Sequence, residues 1–394
     1  MFDNELEALG RDFADELYRG DSEALEVSAS RLEGYSKCPF AHFVKYGLRA
    51  EDEIQYGMGA GEIGDVYHEC LMRLSKQLTP GEASGISISD PGSPWMTVTR
   101  EECADRVKRI LSEEMKDFGE GIMSAGPEES YRSGRIAEIC TGIAWTMIEQ
   151  VRKGHIKQML FEQPFGRGCK LPPVSVDVGG KEVQIRGKID RMDIMDSSDD
   201  SDAVRIVDYK TGNDFVNVDY IRSGYKLQLM IYLKAAGKDP AGVFYFKIRD
   251  VDIDADQKKI DTSSPEALAD RMADAYKLEG IIVNDMDIIE SMDSEFSTAS
   301  QVIPVKLSKK VNAYAASGGG YLFTREEFDE LRNQVDKQVQ RICREICDGS
   351  IAAAPKIERE KDMDGKQRTS CRFCNYRSIC MFDTTFAGCR YHNA

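Results

Sequence analysis

The chain lacks an apolar run long enough to span a membrane, and its acidic N-terminus lacks the apolar core that follows a basic start in a signal peptide. We therefore expect a cytoplasmic protein. Basic residues are also scarce: 52 Lys and Arg stand against 68 Asp and Glu, a formal net charge of −16. This balance argues against a polyanion as partner, unless basic residues cluster locally as they do in 308–314 and in the tail from 356.

A phosphate-binding loop of the form G-x-x-x-x-G-K-[ST] is also missing, so we expect this chain neither to bind nor to hydrolyse ATP. The composition itself is ordinary for a globular protein, with 41% apolar and 30% charged residues. A length of 394 residues suggests two or three domain-sized units.

Hydrophobic periodicity predicts an α/β fold. Helices are expected over 28–48 (broken at Cys38-Pro39), 61–74, 99–118, 131–153, 223–237 and 324–348, and strands over 156–165, 182–195, 203–212 and 241–248. An order of helix, three strands, helix and strand is typical of a mixed sheet flanked by helices. We divide the chain into an acidic helix and linker (1–27), a core (28–250) with a helical insertion at about 80–155, a second insertion (251–323), and a C-terminal helix with a Cys-rich tail (324–394).

The stretch "RIVDYKTG" (205–212) ends an apolar strand with Asp208 and Lys210. Residues two apart in a strand face the same side, so this carboxylate and this ammonium group should point together at the rim of a buried strand. Asp190, in the preceding strand, can meet Asp208 through a hairpin. Glu162 on the strand before and His68 on a helix complete a set of ligands that suits Mg²⁺ or Mn²⁺.

Each of these residues also has a purely structural interpretation. Asp208 and Lys210 could form a solvated ion pair, Asp190 could pair with Arg191 or Arg186, and His68 could be a core histidine. The combination in one order along the chain favours a site at which a metal-activated water cleaves a phosphodiester, with Lys210 orienting or polarising that water.

The segment "GKIDRMD…VRIVDYKTG" resembles the active-site hairpin of PD-(D/E)xK nucleases of the RecB type. "KLQLMIYL" matches the Q-x-x-x-Y element of that group, here Gln228 and Tyr232, and "GEIGDVYHECL" matches its histidine helix. The resemblance implies a restriction-endonuclease-like core. It implies His68, Asp190, Asp208 and the carbonyl of Tyr209 as metal ligands, and Lys210, Gln228 and Tyr232 as further catalytic residues.

Eleven cysteines are too few for a disulfide scaffold in so long a chain. Cys371, Cys374 and Cys380 form a C-x2-C-x5-C cluster that needs a fourth ligand, for which Cys38 and Cys389 are the candidates. The spacing leaves Cys₄ zinc and a [4Fe–4S] cluster both open. The remaining cysteines are expected to be buried apolar residues.

The arrangement of "CPF" before the core and C-x2-C-x5-C after it resembles the iron–sulfur staple of the AddB family, the B subunits of bacterial AddAB helicase–nucleases. The resemblance implies a [4Fe–4S] cluster on Cys38, Cys371, Cys374 and Cys380. Closing a loop of roughly 330 residues in this way stabilises by roughly 5–6 kcal/mol in the chain-entropy model. The resemblance also implies AddA as partner and a role in double-strand break repair. AddB proteins carry a helicase-like region ahead of the nuclease, so we expect an excised domain or a truncated reading of a longer gene.

The leading hypothesis is thus a metal-dependent exonuclease domain acting on single-stranded DNA ends. The alternatives are a stand-alone nuclease of the Cas4 type, which shares the arrangement of cysteines, and a non-catalytic iron–sulfur module that binds DNA ends. For the DNA backbone, the expected contacts are Arg222, Lys226, Arg372 and Arg377.

Overall fold

The computed structural model describes residues 8–50, 60–81, 84–117, 127–196, 202–212, 214–248, 265–296, 298–308, 313–361, 365–386 and 388–394. Within these ranges no helix combines the length and the apolar character that crossing a membrane requires. The connection between the strands expected over 182–195 and 203–212 lies mostly outside the described residues.

The described helices are α1 (Arg11–Tyr18), α2 (Ala29–Lys37), α3 (Pro39–His42), α4 (Ala60–Leu78), α5 (Pro94–Thr97), α6 (Arg100–Asp117), α7 (Pro127–Arg152), α8 (Val218–Arg222), α9 (Gln228–Ala236), α10 (Pro265–Ala275), α11 (Met286–Met292), α12 (Arg325–Cys347) and α13 (Arg377–Cys380). A π-helical turn, Phe43–Gly47, follows α3. The strands are β1 (Leu25–Ser28), β2 (Ile156–Phe165), β3 (Val174–Val178), β4 (Lys181–Met195), β5 (Val204–Lys210), β6 (Pro240–Lys247), β7 (Glu279–Val283), β8 (Val305–Ser308), β9 (Ala313–Ala316), β10 (Gly320–Phe323), β11 (Lys356–Lys361), β12 (Gln367–Thr369) and β13 (His392–Asn393).

A mixed sheet forms the centre of the fold, with strand order β1-β4-β5-β6-β7-β10 and with β2 and β3 also paired to β4. The long strand β4 organises this sheet. Its first half pairs with β3 and β1, and its second half pairs with β2 and β5. Strands β5 and β6 are parallel, and the connection between them contains α8 and α9, as a parallel crossover requires.

Helices cover the sheet on both sides. α9 packs on β5 and β6, with α12 beside it on β3, while α4 packs on β2 and α7 packs on α4 and α6. Alternation along β5 distributes its side chains between these layers: the hydroxyl of Tyr209 donates to Met147 on α7, whereas Lys210 reaches Gln228 on α9. The expected α/β fold with a mixed sheet flanked by helices is confirmed.

Most of the expected elements of the core are present. The strand predicted over 156–165 is β2, that over 182–195 is β4 to within one residue, and that over 203–212 contains β5. The helix expected from 324 begins with a capping box, in which the side chain of Thr324 accepts from the amide of Glu327 and the Glu327 side chain accepts from the amide of Thr324.

Two expectations near the chain's start and around 223 were wrong in detail. The segment expected as a linker contains β1, which adds to the sheet parallel to β4. The helix predicted over 223–237 begins only at Gln228, because Gly224 has a φ of 79° and the chain turns there between α8 and α9. The polar segment from 250 holds α10, β7, α11 and β8 to β10, and β7 and β10 join the central sheet.

The cysteines outside the tail differ in exposure. Cys70, Cys103, Cys140 and Cys343 are buried as expected, and so is Cys389 within the tail. Cys347 is half-buried and Cys169 is exposed, so the expectation of a buried apolar role was wrong for Cys169.

A buried ion network locks β4 to β5. The carboxylate of Asp193 accepts from Arg191 through two bonds of 2.8 Å, and it also accepts from Nε of Arg205 at 2.8 Å. All three side chains are almost completely buried. A buried charge is tolerated when it is paired and hydrogen-bonded, so this network holds only while Asp193 stays opposite Arg205, the register observed.

Gly280 on β7 permits the close pairing of β6 and β7. It lies opposite Phe244, and a Cβ at this position would overlap the Val243 carbonyl oxygen and the Phe244 ring. We expect Gly280→Ala to lower the free energy of unfolding by about 1–3 kcal/mol through overpacking. The matched control is Gly134→Ala in α7, where an added Cβ meets no atom, and helix propensity should raise stability by up to ~1 kcal/mol. Urea unfolding measures the stability of both variants. Equal changes in the free energy of unfolding would contradict the close packing inferred at Gly280.

Candidate active site

The predicted site residues lie where β5 ends. Arg191 on β4 pairs with Val207 on β5, and continuing this antiparallel register by one residue sets Asp190 opposite Asp208. The two aspartates therefore project from the same face of the hairpin, opposite to the face that carries Asp193.

The carboxylate of Asp190 faces the site and is not used in a structural ion pair. Its Oδ2 accepts the backbone N–H of Tyr209 at 3.0 Å and lies 3.3 Å from Nε2 of His68. The arginines that could have paired with Asp190 are engaged elsewhere, Arg191 with Asp193 and Arg186 with Glu26. The pairing of Asp190 with Arg191 or Arg186 is therefore not observed.

His68 lies between two carboxylates. Its Nδ1 is 3.9 Å from Oε1 of Glu162, opposite the Asp190 contact. Burial opposes the charged imidazole, but hydrogen bonding and attraction to Asp190, with a further contribution from Glu162, outweigh it and raise the pKa of His68. The ring also packs edge-on against Tyr209, with centroids 5.5 Å apart.

Glu162 occupies a strained position in β2. Its φ is 49°, a left-handed conformation that residues other than glycine adopt at a cost of about 1–3 kcal/mol. Its flanking residues pair with Arg191 and Ile189, so Glu162 itself falls opposite Asp190. Its carboxylate accepts from Nζ of Lys188 at 2.6 Å. Backbone strain at a residue beside two candidate ligands is typical of functional sites.

Asp208 and Lys210 form a second, more deeply buried group. Nζ of Lys210 lies 2.5 Å from Oδ2 of Asp208 in a close ion pair. Asp208 is only 1% exposed. Burial raises the pKa of Asp208 to about 7, since Lys210 compensates it only in part and Asp190 adds repulsion.

Gln228 and Tyr232 hold the other side of Lys210. The Gln228 side-chain oxygen accepts from Nζ of Lys210 at 2.8 Å, and its amide nitrogen donates to the Tyr232 hydroxyl at 2.7 Å. These two residues stand one turn apart on α9, which explains the Q-x-x-x-Y spacing. The predicted residues thus form two groups, His68 with Asp190 and Glu162, and Lys210 with Asp208, Gln228 and Tyr232.

Glu33 is a residue of this site that the sequence did not reveal. It projects from α2, and its Oε1 accepts the backbone N–H groups of Leu227 at 2.6 Å and of Gln228 at 2.9 Å. These are free N–H groups at the start of α9, and the chain provides no local side-chain cap there. A carboxylate from a helix almost 200 residues earlier therefore caps the helix that positions Lys210.

Gly64 allows α4 to approach the end of β5. A Cβ there would lie 2.9 Å from Oγ1 of Thr211, the residue after Lys210, and the next helical turn carries His68. Because no side chain intervenes, the histidine helix packs directly on the turn that follows the D-x-K pair.

As the side chains stand, no group of three or more His, Cys, Asp and Glu in the described part of the chain is gathered closely enough to hold a metal ion. The donor chemistry nevertheless fits a hard divalent cation. The site combines an imidazole with carboxylate oxygens, and Lys210 compensates the charge of the buried Asp208 only in part. A divalent cation would add to the positive charge that Lys210 supplies.

The cysteines of the tail meet Cys38 around one small cavity. Cys38, which ends α2, lines it together with Cys371, Cys374 and Cys380. Cys389 instead lies in the adjoining apolar cluster with Ala353 and Phe382. Burial raises the pKa of Cys38 to about 11, and the neighbouring Cys380 and Cys371 add to this effect. Four thiols that line one cavity are the donor set of a Cys₄ site, and binding a metal or cluster there would require the sulfur atoms to move closer together.

The predicted DNA contacts are scattered. Lys226 forms an ion pair with Asp214, and Arg222 lies 3.7 Å from Asp219. Arg372 lies over the ring of Phe373, and Arg377 lines the cysteine cavity.

Comparison with known families agrees with the geometry of the hairpin. Residues 26–381 match the model of the PD-(D/E)XK nuclease superfamily.

The chain belongs to the PD-(D/E)XK nuclease superfamily.

Curated proteins resemble the chain along nearly its whole length. Three of them are named as the B subunit of an ATP-dependent helicase/deoxyribonuclease, from Caldanaerobacter subterraneus subsp. tengcongensis (32% identity), Clostridium tetani (31%) and Alkaliphilus metalliredigens (29%). The matches cover 99%, 93% and 99% of this chain but only 32%, 31% and 32% of the relatives. The chain thus spans about a third of their length.

The likeness to a solved structure is weaker. The crystal structure of SSO0001 matches 46% of this chain and 70% of that one, with 17% identity and a TM-score of 0.18.

Removing the carboxylate of residue 33 should destabilise the start of α9. We expect Glu33→Ala to lower the free energy of unfolding by about 1–2 kcal/mol, because two buried N–H groups lose their acceptor. Glu33→Gln keeps an oxygen acceptor and should recover most of this loss. Urea unfolding of the three proteins measures it; a Gln variant as unstable as the Ala variant would contradict capping by the side-chain oxygen.

Proposed function

We propose that this chain is the nuclease part of an AddAB-like helicase–nuclease and hydrolyses phosphodiester bonds at single-stranded DNA ends. The observation that carries this proposal is the buried pair of Asp208 and Lys210 at the end of β5, beside the contact between Asp190 and His68. A carboxylate enclosed this deeply, whose charge Lys210 compensates only in part, is costly in a purely structural role. The same arrangement suits a site that acts on a phosphate.

His68, Asp190, Asp208 and the carbonyl oxygen of Tyr209 would hold Mg²⁺ or Mn²⁺. When bound, such an ion lowers the pKa of a coordinated water and stabilises negative charge on the phosphate. The Tyr209 amide donates to Asp190 and so fixes one carboxylate towards the site. Glu162 holds the far side of His68, which limits rotation of the ring.

Lys210 directs its ammonium group into the site. One N–H is taken by Gln228, and the ion pair with Asp208 restrains the group further. The remaining N–H groups can orient an attacking water or stabilise charge on a phosphate oxygen. Gln228 in turn is held by Tyr232, so α9 sets the position of the lysine.

The four cysteines around the tail cavity would hold a [4Fe–4S] cluster. Support comes from their convergence on one cavity although Cys38 precedes most of the sheet and the other three follow it. The apolar contacts of Phe40 with the tail cluster bring the two ends of the chain together. We infer an architectural role, in which the tail is fastened to the end of α2.

The names of the relatives extend the proposal to a partner. A protein named as one subunit of an ATP-dependent helicase/deoxyribonuclease requires another, and we propose an AddA-type helicase–nuclease as the partner of this chain. The setting would be DNA-end processing in double-strand break repair, in the cytoplasm.

The first test is cleavage of an end-labelled single-stranded oligonucleotide with Mg²⁺ or Mn²⁺. We expect Asp208→Ala and Lys210→Ala to lower the cleavage rate by at least about 10²-fold, since each removes charge stabilisation from the site.

The matched control for Lys210→Ala is Lys247→Ala. Lys247 lies in register with Lys210 on the neighbouring strand, is similarly enclosed, and pairs with Glu279 at 2.6 Å. This variant should cut DNA at nearly the rate of the wild type. If the wild type and all three variants degrade the strand equally, the catalytic assignment is wrong.

The second test concerns the cysteines. Protein purified without oxygen should show the visible absorbance of iron–sulfur charge transfer, and Cys374→Ala should lose it together with bound iron and sulfide. Cys169→Ala removes an exposed cysteine and should keep both signals. Colourless wild-type protein with one bound zinc would show a Cys₄ zinc site instead.

A further inference from the structure

A wide cleft opens beside Glu162. We call it the cationic cleft and define it by Glu26, Arg31, Tyr46, Arg167, Arg186 and Lys188. Its volume is about 620 Å³, within the range of roughly 300–1,000 Å³ for small-molecule pockets. The cleft is open to solvent along its length, whereas such pockets are mostly enclosed, so it is better suited to a chain.

The charge of the cleft is opposite to that of the molecule. Four cations and one carboxylate line it, in a chain whose net charge is −16. Arg167 and Arg186 are about half to two-thirds exposed, with exposures of 52% and 66%, and each has one carboxylate neighbour, Glu23 and Glu26. Such exposed ion pairs contribute little to stability and open readily for another anion.

Arg31 gives the cleft an anion preference of its own. It is largely enclosed, and among the described residues no carboxylate lies within ion-pair distance of it. Its Nε donates to Nε2 of His42 at 3.1 Å, and its Nη1 donates to the Glu26 carbonyl. Its Nη2 is buried without a hydrogen-bond partner, so a phosphate would approach from the more exposed side of Nη1.

The guanidinium of Arg31 also lies 4.8 Å from the centre of the Tyr46 ring, which partly stabilises the charge. Burial lowers the pKa of Arg31, which shows that its surroundings do not compensate the charge. An enclosed cation without an anion is costly, and a phosphate, which matches the planar fork of arginine, would complete it.

The cleft leads directly to the candidate active site. Lys188 lines the cleft, and its Nζ lies 2.6 Å from Oε1 of Glu162, whose other neighbour is Nδ1 of His68. A strand whose phosphates follow the arginines would thus arrive at the metal ligands past Lys188 and its partner Glu162.

We propose that the cationic cleft holds the backbone of the DNA strand next to the phosphate that is cut, with Arg31 bound to one phosphate. This inference rests on the proposed nuclease function and adds the path of its substrate. Contacts to phosphate carry no sequence information, so the strand is held without regard to its bases.

The experiment is equilibrium binding of a fluorescent single-stranded oligo(dT) to the whole chain over a series of salt concentrations, with Ca²⁺ in place of Mg²⁺. Arg167→Ala/Arg186→Ala is compared with Arg325→Ala/Arg359→Ala. The control pair lies outside the cleft and matches the first: its exposures are 48% and 66%, and each arginine has one carboxylate 3.0 Å away. Both double variants remove the same charge.

We expect the cleft double variant to raise Kd about tenfold or more near physiological salt and to reduce the slope of log K against log salt by roughly 1.4, two phosphates at about 0.7 each on a single strand. The control double variant should change neither Kd nor the salt slope by more than about a third of the change expected for the cleft double variant. Equal losses of oligonucleotide affinity in the two double variants would show that the effect comes from net charge alone, and would overturn the proposal. Unchanged affinity in both would also overturn it.

Arg31 is tested by Arg31→Lys, which keeps the charge and loses the planar fork. We expect weaker oligonucleotide binding, about threefold to tenfold, measured well below the temperature at which the variant unfolds, because the substitution also loses the bonds to His42 and to the Glu26 carbonyl. If Arg31→Lys binds the oligonucleotide as tightly as the wild type, Arg31 does not contact the strand. Binding is measured without cleavage, so the two proposals can fail separately. If the wild type cuts DNA but the cleft variants bind it normally, only the proposed path is contradicted. If binding depends on the cleft but the wild type does not cut DNA, only the proposed function is contradicted.

Discussion

The register between β4 and β5 is the constraint on which the rest of the site depends. The buried carboxylate of Asp193 is shared by Arg191 and Arg205, and it can be satisfied in one alignment only. A slip of one residue would turn every side chain of the strand to the other face and leave buried charges unpaired. The alignment that satisfies Asp193 on one face also sets Asp190 opposite Asp208 on the other. The buried ion network of Asp193 thus also fixes the geometry of the candidate active site.

Each face of the hairpin carries a buried aspartate, and the charges of the two aspartates are compensated to different degrees. Asp193 is fully compensated by two guanidinium groups, and they hold its pKa below the usual value although burial opposes this. Asp208 is as deeply buried but has one lysine and an acidic neighbour, so its charge is only partly balanced. Full compensation gives a rigid element, whereas incomplete compensation leaves a group that attracts a further cation. The contrast separates Asp193, which holds two strands together, from Asp208, which lies in the candidate active site.

Much of this could be predicted from the sequence where the signal is local. The strands around 190 and 208, the D-x-K pair and the Q-x-x-x-Y spacing are short patterns whose periodicity places their residues on known faces. Three features could not be predicted. Strand β1 is too short to show periodicity, the left-handed φ of Glu162 has no glycine to indicate it, and Glu33 reaches Gln228 across almost 200 residues. Contacts of that kind depend on packing and leave no pattern along the chain.

Glu33 and Cys38 lie on the same short helix, a little more than one turn apart. One end of α2 therefore touches the cavity where the two termini of the fold meet, and its middle supports the first turn of α9. The same helix thus joins two distant parts of the fold: the cysteine cavity at its end and, through Glu33 and the start of α9, the Gln228 side chain that accepts from Lys210.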